Sequence, residues 1–326
     1  MTNCLCIGDQ HFTKHNKNLT DLLLIRAVEQ IEERRPDFVV LLGDIGDQHN
    51  IAEIECYDRI ISFLSSLDDA CKRINASLFL LIGNHDRKNN RDFMTDTHFF
   101  NSVKKWNSIV VVDSTTERTI NNKKFCFIPY VPDGKLNTAL GTLDPLSYSA
   151  IFCHQTLSLY SSVGDKIPKE WKCVISGHIH DYMHEGNVWY VGTPYPVTFA
   201  EETEKSISFF TFTDEGEAEE ERIFLKIGRK ITHTIDFKDL DTYKQEEDNT
   251  GMVVGYRVKV LLSPDQTDIL RHDSKYCELI KAGIKVVPVY QNKVKAEKLK
   301  INSYISTLRS ILTEDEDIML SKILDL

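Results

Sequence analysis

The run Phe38-Val39-Val40-Leu41-Leu42-Gly43-Asp44-Ile45-Gly46-Asp47 is an apolar, β-branched stretch that stops at a glycine and then delivers two carboxylates. Such a run reads as a buried strand, and the polar residues after it as a loop at the strand's end. The same pairing recurs on both sides of it. Leu5-Cys6-Ile7 precedes Asp9-Gln10-His11, and Leu78 to Ile82 precedes Gly83-Asn84-His85-Asp86. Ala150 to Phe152 precedes Cys153-His154, and Cys173 to Ile175 precedes Gly177-His178-Ile179-His180. Leu19 to Arg35 and Ile54 to Ile74 carry apolar residues at helical spacing, the first stopping at Pro36. Strands alternating with helices predict parallel pairing in an α/β fold, which gathers its functional groups at strand ends.

Asp, Asn and His offer oxygen and imidazole nitrogen, a donor set that suits manganese, iron or zinc. Two divalent ions held about 3.5–4 Å apart clamp a phosphate and activate water, which requires one carboxylate to bridge them. Asp44 is the natural candidate for that bridge.

With its motifs in this order, the chain resembles the calcineurin-like metallophosphoesterases, whose pattern is D-x-H, GD-x-x-D, GNH-D/E, H and GH-x-H. The resemblance covers roughly residues 1–200. It implies a four-layer α/β/β/α sandwich holding two divalent ions, with manganese the metal expected. By the same resemblance Asp9, His11 and His180 hold the first ion, Asn84, His154 and His178 the second, and Asp44 both. His85 would sit beside the substrate phosphate without binding metal, its ring oriented by Asp86 or Asp47. The second motif continues Asp47-Gln48-His49-Asn50 and lacks the arginine of the serine/threonine phosphatase branch.

Further on, Trp189-Tyr190-Val191-Gly192-Thr193-Pro194, Thr198-Phe199-Ala200-Glu201-Glu202 and Glu204-Lys205 resemble the corresponding stretch of the SbcD-type DNA repair nucleases and their phage counterparts. The opening strand, the Ser206 to Phe212 strand and Arg229 to Ile235 fit that pattern as well. The likeness implies a nuclease subunit that hydrolyses DNA phosphodiesters, a cap that contacts DNA, and a C-terminal helical pair that docks on an SMC-like coiled-coil ATPase. The chain departs from the family at Asp9-Gln10-His11-Phe12-Thr13, where D-I-H-L-G is common. Asp47 stands where eukaryotic and archaeal members place His, and Lys205-Ser206 replaces Lys-Gly.

The 326 residues suit two domains and a tail. The expected divisions are a phosphoesterase domain over 1–227, a cap over 228–291 and a helical segment over 292–326. In the cap, Ile231 to Phe237 and Tyr256 to Leu262 read as strands, Pro264 to Ala282 as a helix and Ile284 to Tyr290 as a strand. Ile301, Ile305, Leu308, Ile311 and Leu312 form the helical stripe of the tail.

No apolar run reaches the length that spans a bilayer, and the N-terminus enters a strand without a leader, so a soluble intracellular protein is expected. The eight cysteines include no CxxC pair and read as free, buried thiols. Cys153 should pack in the core, because strand alternation turns it away from His154. The net charge of −10 sits poorly with DNA unless charge is read locally. Asp214 to Glu221 and Glu314 to Asp317 read as solvated acidic loops. Arg87, Lys88 and Arg91 lie close enough to the third motif to meet phosphates. Lys281, Lys285, Lys293, Lys295, Lys298 and Lys300 make a second basic zone.

His15, His98, His233 and His272 fall outside the motifs and take ordinary polar roles by default, whereas His49 and His184 are near enough to line a cleft. A homodimer through the N-terminal helices is compatible with the sequence and not indicated by it. Two rival functions are a small-nucleotide phosphodiesterase or phosphatase, which would turn over cyclic nucleotides and leave DNA intact, and a non-catalytic scaffold, which has no physical need of a full ligand set.

Overall fold

The computed structural model describes residues 1–49, 51, 53–106, 108–202, 204–245 and 253–290. The chain opens with β1 (Thr2–Ile7), α1 (Lys17–Arg34), β2 (Phe38–Leu41), α2 (Ile54–Ile74), β3 (Ser77–Leu81) and β4 (Ile109–Val112). These four strands pair in parallel in chain order. Helix α1 stops where its sequence dictates: Arg35 turns left-handed at φ 49° and returns its amide to the Ile31 carbonyl, and Pro36 has no amide to continue.

A second sheet follows from β5 (Thr116–Ile120), β6 (Lys123–Phe127), the short α3 (Leu136–Leu140), β7 (Ala150–His154), β8 (Val174–Gly177), β9 (Met183–Glu185) and β10 (Val188–Tyr190). Its spatial order is β5-β6-β7-β8-β10-β9. β11 (Ile207–Phe212) then returns antiparallel against β1, and β12 (Ala218–Ile223) extends that edge of the first sheet.

Period-two alternation sorts the first sheet's residues between two cores. Leu5, Ile7, Val39, Leu41, Leu78 and Leu80 pack under α1 and α2 with Leu23, Ile31, Phe63 and Leu67. Cys4, Cys6, Phe38, Val40, Phe79 and Leu81 face the second sheet. Phenylalanines fill the space between the sheets. Phe79 stacks on Phe127 at 4.1 Å between centroids, and Phe127 on Phe152 at 5.1 Å. Each such ring contributes about 1.5–3 kcal/mol by leaving water. The outer face of the second sheet is covered by α3 and its neighbouring loops, with Leu136, Tyr148 and Trp171 over Ile151, Cys153 and Val174. The layers therefore run helix, sheet, sheet, helix, as the resemblance implied. The fourth layer is thin, since α3 has only 5 residues.

One expectation is corrected in this part of the chain. The acidic run Asp214 to Glu221 is not a solvated loop but the turn of a hairpin and the strand β12. Asp214 takes the N-terminal ammonium at 3.2 Å and Lys123 at 2.8 Å. Glu220 accepts from Ser208 Oγ at 2.6 Å and Tyr182 OH at 2.7 Å. Glu221 takes both Arg34 terminal nitrogens, at 2.6 and 2.7 Å. Acidic density on an edge strand is thus matched by hydroxyls and cations from neighbouring elements.

The described residues divide into two compact units, one of 1–231 with 253–256 and one of 232–245 with 257–290. A third sheet orders β13 (Arg229–Asp236), β14 (Val253–Leu262) and β15 (Lys285–Tyr290). β14 and β15 are parallel, with Arg257 opposite Lys285, which is the β-α-β arrangement read from the sequence. The single helix expected over 264–282 is instead broken in two, α4 (Thr267–His272) and α5 (Ser274–Lys281). Asp273 breaks it by leaving helical geometry and accepting the Tyr276 amide at 2.9 Å as the cap of α5. The segment 292–326, with its expected helices, lies outside the described residues.

Candidate metal centre

All five motif loops leave the C-terminal ends of parallel strands: β1, β2 and β3 in the first sheet, β7 and β8 in the second. Their histidine and carboxylate side chains converge in three overlapping groups, Asp9 with His11 and His180, His11 with Asp44 and His85, and Asp44 with His154 and His178. Three of these residues hold left-handed backbone, His11 at φ 43°, Asp44 at 51° and His178 at 79°. Such non-glycine conformations cost about 1–3 kcal/mol each and persist where a site over-determines them. Two glycines make room. Gly43 runs at φ 103°, and a Cβ on Gly83 would sit 2.2 Å from Asp44 Oδ1.

On one side, His11 Nε2 and His180 Nε2 face each other at 3.0 Å. Asp9 beside them is fully buried, and its Oδ2 accepts no hydrogen bond. On the other side, Asn84 Oδ1 lies 2.9 Å from His154 Nε2 and 2.8 Å from His178 Nδ1. Asp44 joins the two sides, with its Oδ2 3.2 Å from His154 Nε2 and 3.9 Å from His11 Nε2. Its other oxygen accepts the His85 amide at 2.8 Å. The ring of His154 is fixed through Nδ1, which lies 2.8 Å from the Leu42 carbonyl. A buried carboxylate oxygen without a donor, and ring nitrogens turned on one another, fit a divalent cation on each side. All seven residues expected as ligands are brought together.

The electrostatics are those of a crowded, mostly anionic pocket. Burial alone would push the His154 imidazole down, but Asp44 and Asp9 overcome it and hold the ring at about 9. Burial, followed by repulsion from His154, drives His178 down to about 3. Asp44 is held far below the usual carboxylate range, because the surrounding imidazoles outweigh its burial. Burial lowers His85, against the pull of Asp44.

His85 stands at the edge of the cluster, its Nδ1 2.6 Å from the Asp47 carbonyl and its ring stacked on His49 at 4.6 Å. The expectation that the Asp86 or Asp47 carboxylate orients this ring is corrected. Asp86 is buried and accepts the amides of Gly46 and Gly83, each at 2.9 Å, so it ties the second motif loop to the third. Asp47 reaches His85 through its backbone carbonyl, while its carboxylate lies 3.3 Å from His11 Nδ1. The sequence could not show this, because a loop's carbonyl direction is set by backbone torsion and not by residue type.

Arg87 is corrected as well. It is 1% exposed and donates to the Tyr130 and Asp92 carbonyls, so it braces the loop and does not face solvent. Lys88 pairs with Asp92 at 3.0 Å, and Arg91 is exposed. Cys153 packs with the outer core beside Leu157 and Tyr190, its thiol pushed up to about 12 by burial, and is no nucleophile. All eight cysteines are free. His184 stacks on Trp189 at 4.2 Å, His98 pairs with Asp113 at 3.3 Å, and His233 with Tyr243 at 2.7 Å. Glu201 was quoted in the sequence only as part of a motif. It lies 3.0 Å from His180 Nδ1, and the Lys205 ammonium lies 3.1 Å from its other oxygen. Among the described residues no helix is long and apolar enough to cross a membrane.

The family described as calcineurin-like phosphoesterase matches residues 2–210. The chain is 30% identical over 295 residues to "Putative phosphoesterase 078R" of Invertebrate iridescent virus 3, covering 86% of this chain and 82% of that one. It is also 30% identical to "Putative phosphoesterase 244L" of Invertebrate iridescent virus 6, over 66% of this chain and 78% of the other. A more distant similarity, 22% over 321 residues, covers 90% of this chain and 88% of "Exonuclease subunit 1" of Enterobacteria phage T4.

Proposed function

Since the chain belongs to the calcineurin-like phosphoesterase family and is a metal-binding hydrolase, we propose that it is a nuclease that cleaves DNA phosphodiesters with two divalent ions, manganese by preference. The observation that carries this reading is the junction at Asp44, where two groups of oxygen and nitrogen donors meet with His85 alongside. DNA as the substrate is supported by similarity along nearly the whole chain to a phage exonuclease subunit, and by the stretch from Trp189 to Lys205.

Asp9, His11 and His180 would hold one ion, Asn84, His154 and His178 the other, and Asp44 both. Ions bound there supply Lewis-acid polarisation of the phosphate and activation of water. His85 handles the leaving group. With Nδ1–H committed to the Asp47 carbonyl, its Nε2 is the atom left to present a proton to the departing oxygen. Asp86 keeps this machinery in register by clamping Gly46 and Gly83. The partner we propose is an SMC-like coiled-coil ATPase that delivers the DNA, on the resemblance alone.

The test is digestion of end-labelled linear duplex and single-stranded DNA in manganese, with His85→Ala as control. Cleavage by wild type that disappears in the variant supports the nuclease. Hydrolysis of a small chromogenic phosphodiester or a cyclic nucleotide, with DNA left intact under the same conditions, selects the small-nucleotide reading instead.

A further inference from the structure

The two proposed ion sites are not backed alike. On the first, both imidazoles have a carboxylate behind them: His11 Nδ1 lies 3.3 Å from Asp47 Oδ1, and His180 Nδ1 lies 3.0 Å from Glu201 Oε1. On the second, His154 has only the neutral Leu42 carbonyl behind it, and Asn84 is itself neutral. Glu201 is also held rigidly. Its side chain is 5% exposed, and it accepts the Val197 amide at 2.9 Å and the Thr198 amide at 2.7 Å. Lys205, equally buried, lies 3.1 Å from Glu201 Oε2 and donates to the His180 carbonyl at 2.8 Å. Carboxylate and cation thus grip ring and backbone of one residue.

Resting on the two-ion reading above, we propose that Glu201 is a positioning residue for His180, and that it makes the Asp9–His11–His180 site the tighter of the two, filled before the Asn84–His154–His178 site. The physical chain is short. A carboxylate accepting Nδ1–H keeps the proton on that nitrogen and leaves the Nε2 lone pair toward His11 and Asp9. It also raises the basicity of the ring, and removal of such a partner costs about 10–100-fold in metal affinity. Asp9, Asp44, Asp47 and Glu201 all lie on or behind the first site, whereas the second shares only Asp44. A doubly charged ion is held more firmly where more negative charge faces it in a poorly solvated pocket.

Calorimetric titration of manganese into the chelator-stripped full chain tests this. Wild type should show two separated binding events. Glu201→Gln keeps an oxygen to accept the loop amides but loses the charge. It should weaken the tight event by about 10–100-fold and leave the weak one unchanged, while kcat recovers at saturating manganese. Asn84→Ala should do the converse. In a His180→Ala background, Glu201→Gln should have no further effect on the first site, because Glu201 acts through that ring. An unchanged tight event in Glu201→Gln, an equal weakening of both events, or an additive loss in the double variant overturns the proposal. So does a lower melting temperature of metal-free Glu201→Gln, which would make Glu201 a staple of its loop. Two binding events with the Glu201 dependence but no DNA cleavage would sink the nuclease reading alone.

Discussion

Asp44 and His85 are neighbours in space with opposite duties, and single substitutions separate them. Asp44 Oδ2 lies between His11 and His154, so Asp44→Asn replaces one charge that serves both ion sites. Hydrolysis should vanish, and manganese binding measured by calorimetry should weaken at both sites together. His85 gives its Nδ1 to a carbonyl and stands at the rim. His85→Ala should keep two manganese ions and lose about 10²–10⁴ in turnover, the usual worth of a positioned proton donor. His85 also lies within ligand reach of His11 and Asp44. Loss of an ion in the alanine variant would therefore make it a ligand and refute the assigned role. The side chains of this centre were legible because ligands must be particular residue types at strand ends. Arg87 was not, since an arginine after a motif reads identically whether it faces phosphate or turns inward to two carbonyls.

The loops that carry these side chains are held by backbone contacts that composition hides. Gly83→Ala would put a methyl 2.3 Å from the Asp44 amide nitrogen, which cannot rotate away. Overpacking of this kind costs about 1–3 kcal/mol. The variant should stay folded in a denaturant melt while losing manganese binding, because Asp44 is what must move. The loop after β3 has a second anchor at the end of β4, where Asp113 lies 3.3 Å from His98 and also takes Lys104. The hydrogen bond from His98, ahead of the opposing effect of burial and the aid of Lys104, brings the Asp113 carboxyl down to about 2. A depressed acid stabilises the fold above its unfolded value and loses that contribution as pH falls through the folded one. Asp113→Asn should therefore cost about 1 kcal/mol at neutral pH, after discounting for the exposed lysine. The gap to wild type should be flat down to about pH 5 and close between roughly pH 4 and 2; a gap that widens in acid would refute this. Strands and helices were readable from period and length, as α2 and the β14–β15 unit show. What could not be read were interruptions set by tertiary partners: the Asp273 cap that splits a helix, and the acidic segment that became strand β12 because Arg34, Ser208 and Tyr182 receive its carboxylates.

Across the whole chain, a net charge of −10 must be reconciled with a polyanionic substrate. The cations nearest the third motif offer little: Arg87 is spent on carbonyls, and Lys88 on Asp92. Lys14, beside the first motif, lies 3.7 Å from Glu53. Each phosphate neutralised by a cation contributes about −0.9 to the slope of log affinity against log salt on duplex DNA. With so few uncommitted cations at the centre, the isolated chain should bind duplex weakly and with a shallow slope, smaller in magnitude than about 3. Fluorescence anisotropy on a labelled duplex across a salt series, with calcium in place of manganese to prevent cleavage, measures it. A steep slope would mean that a basic surface elsewhere on the chain carries the DNA. A shallow one assigns backbone binding to a partner and leaves this chain the chemistry, so that cleavage by the isolated chain should rise in proportion to DNA concentration and show no saturation at accessible levels.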